Sequence, residues 1–364
     1  MNLNPVGWAS SSLRLVARLF NSGVNSTVPV TAISEAPIGV ANADIALVAK
    51  GTGATLAQVP DGTVAGGNKR GTRATDLQKS RTAATQVASG NQSAIGGGAE
   101  NSATGNYATV AGGGINNNTG LFATIGGGYF NQVAGQYASI LGGDSNTASS
   151  NYSFVGGGQS NVAQTNSHAT VCGGSSNTAS GLYSFVGGGL SNTASGTLSV
   201  IAGGAYGTTR SITGYQVFPA CSAPISTAFG ITQSALLLLA RETLSNTSTV
   251  LTSNSSGAST NNQIILPNNA AYSFSGEVIA GVTGGGDTAR WTINGAIKRG
   301  ANAASTAMVG TPTVTMTHND SGAAAWTVAV TADTTNGGIT VTVTGAVSTA
   351  IRWVCKINTT EMTY

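Results

Sequence analysis

Through the middle of the chain, β-branched residues return at a fixed beat. Val110, Ile125, Ile140, Val155, Val171, Val186 and Ile201 stand fifteen residues apart, with one step of sixteen. An asparagine column (Asn101, Asn116, Asn131, Asn146, Asn161, Asn177, Asn192) keeps the same time. So does an aromatic one (Tyr107, Phe122, Tyr137, Tyr152, His168, Tyr183, closing on Leu198), and a glycine pair such as Gly142-Gly143 precedes each asparagine by four residues. A short period held this long predicts a solenoid, whose coils stack to bury a shared core. In Tyr137-Ala138-Ser139-Ile140 alternate side chains turn inward, so Ile140 and its equivalents form that core. The glycines suit a corner because they reach positive φ without steric cost. The stacked asparagines can satisfy turn backbone groups and one another.

After the repeat the pattern shortens. Segments 234–241, 263–266, 272–282, 289–298, 313–318, 325–332, 339–344 and 351–357 alternate or run apolar, with turn signals such as Gly284-Gly285-Gly286-Asp287 and Asn336-Gly337-Gly338 between them. They predict an antiparallel β-sandwich or jelly roll with Trp291, Trp326 and Trp353 as its heavy core. Before the repeat, segments 27–33 and 44–59 read as short strands. Leu13, Val16 and Phe20 read as one face of a helix, with Arg14 and Arg18 outside. The fold class is thus all-β: a parallel β-solenoid, or β-roll, shaft followed by an antiparallel sandwich. The expected regions are 1–82 for attachment, 83–207 for the solenoid, 208–230 as a linker and 231–364 for the sandwich.

Charge sharpens these boundaries. Only 7% of the residues are charged. From Thr82 to Thr209 there is no Lys or Arg, and Glu100 and Asp144 are the sole acids. A net charge of +3 is too small and scattered to predict nucleic-acid binding. The apolar run near the N-terminus is too short and too broken by charge for a membrane span or secretory signal. The cluster Lys69, Arg70, Arg73, Asp76, Lys79 and Arg81 reads as a charged cap on the first coil rather than a seat for an acidic partner.

Segments such as Tyr183-Ser184-Phe185-Val186-Gly187-Gly188-Gly189-Leu190-Ser191-Asn192-Thr193-Ala194-Ser195-Gly196 resemble the head repeats of trimeric autotransporter adhesins, which form a left-handed β-roll in each of three chains. Related repeats occur in bacteriophage tail fibres. The flanks Gly51-Thr52-Gly53-Ala54-Thr55-Leu56-Ala57-Gln58-Val59-Pro60-Asp61-Gly62 and Ile351-Arg352-Trp353-Val354 resemble phage fibre proteins more closely. With no heptad stalk and no barrel-forming segment at its end, the sequence fits the phage relatives better than a bacterial surface adhesin. The resemblance implies a homotrimer on the virion exterior, made in the host cytoplasm. Its N-terminal part would dock on tail, neck or capsid proteins, and its C-terminal part would meet a host receptor, with carbohydrate as the candidate class. A thin coil with little interior gains buried area from such a trimer.

Hydrolysis of a polysaccharide, as by a tailspike depolymerase, needs two carboxylates about 5–9.5 Å apart. Glu100 and Asp144 fall three coils apart, about 14 Å along the axis at about 4.8 Å per coil. A site between subunits, or one built from Glu242, Glu277, Asp287, Asp320, Asp333 and Glu361, stays open as the alternative. The expectation is therefore a structural adhesin, not an enzyme, with no catalytic, cofactor or metal residues assigned. His168 reads as a stacking member of the aromatic column, and His318, near Asp320, as a solvated hairpin end. Cys172, Cys221 and Cys355 have no metal spacing. Cys172 shares its slot with Ala111, Gly126, Leu141, Gly156, Gly187 and Ala202, which predicts a packed thiol.

Overall fold

The computed structural model describes residues 18–20, 30–32 and 52–364. The chain divides into Met1–Val48 and Ala49–Tyr364. In the first unit Arg18–Phe20 pairs antiparallel with Val30–Ala32. Phe20 thus sits on a strand rather than on the expected helical face, and Leu13, Arg14 and Val16 lie outside the described residues.

In the second unit a parallel solenoid runs from Thr55–Leu56 to Val200–Ile201, one two-residue rung per coil. The first two steps are long, Thr55 to Thr75 and Thr75 to Ala94, and the fifteen-residue register follows. A second parallel ladder runs from Ser102–Ala103 to Thr193–Ala194, and a column of single bridges passes through Ala99, Gly114, Tyr129, Asp144, Gln159, Ser175, Leu190 and Ala205. The extra residue between Asn161 and Asn177 leaves both ladders in register, with Phe154 opposite Thr170 and Val162 opposite Thr178. It is taken up around Thr165, which adopts a φ of 71°.

Each coil is narrow inside. Asn131, Val133, Ala138 and Ile140 are all buried, and the same slots are buried in neighbouring coils. Burying one Val or Ile side chain stabilises by about 1.5–3 kcal/mol. The asparagines form a continuous hydrogen-bonded column in that core. The Asn146 backbone N–H donates to Asn131 Oδ1 at 3.0 Å, and its Nδ2 donates to Asn131 Oδ1, Gly142 O and Gly158 O. Gln78 starts the column, its Oε1 accepting Asn101 N at 2.9 Å, and Asn192 Oδ1 ends it by accepting Gly207 N at 2.9 Å. The column needs the glycine corner. Gly143 has φ +90°, and a Cβ there would lie 2.2 Å from Gly158 O and 2.6 Å from Asn146 Nδ2.

The solenoid runs into the C-terminal domain through backbone pairing. Gln216–Pro219 pairs parallel with Val200–Ile201 on one side and antiparallel with Thr232–Thr243 on the other. From there a large antiparallel sheet continues through Ile351–Thr363, Ala270–Val282, Thr288–Arg299 and Thr313–Asn319. A smaller sheet is centred on Gly338–Thr344, with Thr327–Asp333 on one side and Thr249–Val250 and Ile264–Ile265 on the other. Between the sheets Trp353 packs against Trp291 and Trp326 at 5.6 and 5.7 Å, among Leu237, Leu239, Phe274, Val341 and Val343. The all-β solenoid with antiparallel sheets at its C-terminal end is the expected fold class.

Candidate functional site

The shaft offers little chemistry. Its aromatic column is on the outside, with Tyr107, Phe122, Tyr137, Tyr152, His168 and Tyr183 stacked at 4.5–5.2 Å between centroids. Its members all take positive φ at a corner of each coil, for example 56° at Tyr137, where the N–H donates back to Leu121 O. Each ring covers its neighbour's face, so solvent meets the edges and a sugar ring finds few faces to stack on. His168 is part of this stack, 4.8 Å from Tyr152 and 4.7 Å from Tyr183. Glu100 accepts from Thr82 Oγ1, and Asp144 from Ser145 Oγ and Gln159 Nε2. The bridge column from Ala99 through Gly114 and Tyr129 to Asp144 places the two acids three coils apart.

The outer face of the large C-terminal sheet is different. Its inward residues build the core, so strict alternation turns another set out. Two rows cross the sheet: Leu238, Lys356, Glu277, Thr292 and Thr315, and beside it Ala240, Val354, Ile279, Arg290 and His318. Arg290 Nη2 donates to Glu277 Oε1 at 2.8 Å across the strands. Three adjoining depressions lie on this face. One of about 410 Å³ is lined by Ser275, Glu277, Asn294, Thr313, Lys356 and Asn358. One of about 670 Å³ holds Arg290, Thr317, His318 and Asp320, and a smaller one between Glu277, Arg290 and Lys356 joins them.

The candidate acids separate by environment. Glu242 pairs with Arg352 at 2.9 Å, and Asp333 caps its own turn at Thr335 and Asn336. Asp287 and Asp320 come to the same sheet end, Asp287 accepting Gly322 N at 3.3 Å and Asp320 accepting Thr288 N at 2.9 Å. Glu361 is buried where the shaft meets the head. It accepts from Arg210, Tyr215, Gln233 Nε2 and Thr359 Oγ1, while the Arg210 guanidinium lies 5.6 Å over the Tyr272 ring. Burial raises the Tyr215 and Tyr272 phenols well above their ordinary range, and the Glu361 carboxylate pushes them the same way. Burial works against the Arg210 charge, but Tyr272, Glu361 and Tyr215 together hold its pKa above the usual value. Sequence reasoning missed this cluster because its members lie up to 151 residues apart.

The packed thiol expected at Cys172 is corrected: its side chain is exposed. Val171 before it points into the core, so alternation turns Cys172 out. Cys221 is also exposed, whereas Cys355 is buried in the sandwich, and burial pushes its thiol up to about 12. Among the described residues no group of three or more His, Cys, Asp or Glu is placed to hold a metal ion, and no helix is long and apolar enough to cross a membrane.

No family model and no curated protein matches the chain. Its structural neighbours are phage tailspike proteins. The tailspike protein gp49 of Acinetobacter baumannii bacteriophage Fri1, described as a capsular polysaccharide depolymerase, is 7% identical with a TM-score of 0.22, over 80% of this chain and 59% of that one. The Acinetobacter baumannii phage AM24 tailspike is 8% identical with a TM-score of 0.22, over 79% and 56%. The Acinetobacter phage vB_ApiP_P1 tailspike is 9% identical with a TM-score of 0.18, over 86% and 80%. The chain thus spans little more than half the length of the first two. The description of the first as a depolymerase overturns the expectation of a chain without enzymatic activity, which is withdrawn.

Proposed function

We propose that this chain is the shaft and head of a virion appendage, assembled as a homotrimer, whose head engages host-surface polysaccharide through the outer face of its large sheet. Continuity of backbone pairing carries this reading. Gln216–Pro219 is shared by shaft and head, so a load on the head passes into the solenoid through hydrogen bonds rather than a loop. The head also concentrates what the shaft lacks: Glu277, Arg290, His318, Lys356 and Asn358 stand on one face, with depressions between them. Hydroxyl-rich ligands suit such a set of paired charges and amides. The region 1–82 serves attachment to the particle in this reading.

A cleaving head is the second reading, favoured by the position of Asp287 and Asp320 at one sheet end beside His318. Purified full-length chain is incubated with host envelope polysaccharide, and retention and release of shorter glycans are measured separately. Retention that Arg290→Ala weakens supports the binding face. Release of fragments that Asp320→Asn stops supports the second reading. Neither retention nor release with any host glycan fraction overturns both. A stable monomer by native mass measurement overturns the trimer.

A further inference from the structure

We propose that the outer face of the ladder from Thr109 to Ala202 is the surface on which copies of this chain meet around a common axis. The inference rests on the homotrimer proposed above and names the face that makes it. The middle residue of each rung, from Val110 to Ile201, is buried, so the residues on either side of it turn outward. Leu141, Phe154, Cys172, Phe185, Val200 and Ala202 stand there in successive coils, and the remaining positions are filled by Thr, Ser, Ala and Gly. Leu141 is 60% exposed. A Cβ on Gly187 would lie 3.4 Å from the Phe185 ring, so that ring lies along the face rather than standing off it. The apolar strip continues onto Phe218, 52% exposed, on the strand shared by shaft and head.

The other two faces differ. The second ladder turns out Asn117, Gln132, Thr147 and Thr193, and the bridge column carries Asp144 and Gln159. An axis parallel to the shaft sets each residue against its own equivalents in the neighbouring copies, so a charge would meet a like charge. The face from Thr109 to Ala202 carries neither charge nor amide, and its burial strands few polar groups. A second copy is also the partner that matches its length and its rise per coil. Seven coils of about 4.8 Å and a strand face about 10 Å wide give about 330 Å² per chain, so three copies cover about 1,000 Å², the lower bound of a specific interface, before Phe218 adds to it.

Cross-linking of the full-length chain with a short bis-maleimide tests the face, in a Cys221→Ala background that leaves Cys172 as the exposed thiol. Copies in register bring each Cys172 to the same height, so linked dimers are expected on a denaturing gel and disappear in Cys172→Ala. Leu141→Asp, which sets like charges together, should raise the concentration for half-dissociation of the trimer at least tenfold in native mass measurement, with the tryptophan unfolding midpoint unchanged. Gln132→Asp, exposed on the second ladder, should leave association as it is. A trimer without the Cys172 link, or one dissociated by Gln132→Asp and not by Leu141→Asp, overturns this face and leaves the homotrimer standing. A monomer at every concentration overturns both.

Discussion

The two ends of the shaft are both closed by buried arginine–carboxylate contacts, but in different proportions. At the head end one arginine meets one carboxylate: Arg210 and Glu361 are joined by Tyr215, Gln233 and Thr359, and Gln233 also bonds Thr208 in both directions. At the other end two arginines share Asp76, and Arg70 Nη2 has no hydrogen-bond partner among the described residues. The balanced end is a permanent joint within one chain. The two-arginine end serves as a cap for the asparagine column, through Gln78, which bonds Asn101 in both directions. A buried ion pair is costly to desolvate and is weak evidence for stability by itself. Its stronger use here is positional, fixing which residues of head and cap meet the coil.

Removing the carboxylate at the joint should have the largest effect. Glu361→Ala leaves Arg210 buried and uncompensated and takes the acceptor from Tyr215, Gln233 and Thr359. A loss of about 3–5 kcal/mol is expected. It is read by denaturant unfolding followed through tryptophan fluorescence, since Trp291, Trp326 and Trp353 are packed in the head. Asp76→Ala at the cap should instead release the first coils locally, seen as faster amide exchange around residues 55–90 with the tryptophan transition unmoved. If Asp76→Ala shifts the tryptophan transition as far as Glu361→Ala does, the ends are not energetically separate and the comparison fails.

The joint also differs in its response to pH. Tyr215 and Tyr272 are held protonated above their ordinary range by burial first and Glu361 second. A raised folded-state pKa gives stability that is full below the ordinary tyrosine value of about 10 and is lost as pH climbs through the folded value. The cap contains no phenol, so from about pH 10 upward amide exchange should accelerate at the head joint before it does at residues 55–90. Simultaneous loss at both ends would dissolve the contrast.

Between the ends the column itself was legible. Asparagine at a fixed spacing, glycine before it and a β-branched residue in every coil state the solenoid directly, because every coil repeats one local solution. Asn146→Ala removes donors to Asn131, Gly142 and Gly158 and is expected to cost about 1–3 kcal/mol. The head's strands were legible too, since alternation and turns are local signals. What composition hid was long-range: the meeting of Arg210 with Glu361, and the burial of Arg70, Asp76 and Arg81 inside a turn-rich stretch that reads as a charged surface. Cys172 is a different case. Its exposure was available from alternation beside Val171, but resemblance to small residues in the same slot pointed inward.

The smallest stability effect belongs to the exposed pair on the head, and it is the most useful for function. Arg290 and Glu277 are bonded at 2.8 Å with side chains 37% and 51% exposed, so solvent screens most of their attraction. Arg290→Ala should change unfolding by no more than about 1 kcal/mol. Unlike Glu361 or Asp76, Arg290 has no buried partner whose hydrogen bonding depends on it. A large loss of glycan retention in this variant, at unchanged unfolding midpoint, therefore assigns the effect to the sheet face and not to the fold. Unchanged retention together with unchanged stability removes Arg290 from the binding face and moves recognition elsewhere on the head.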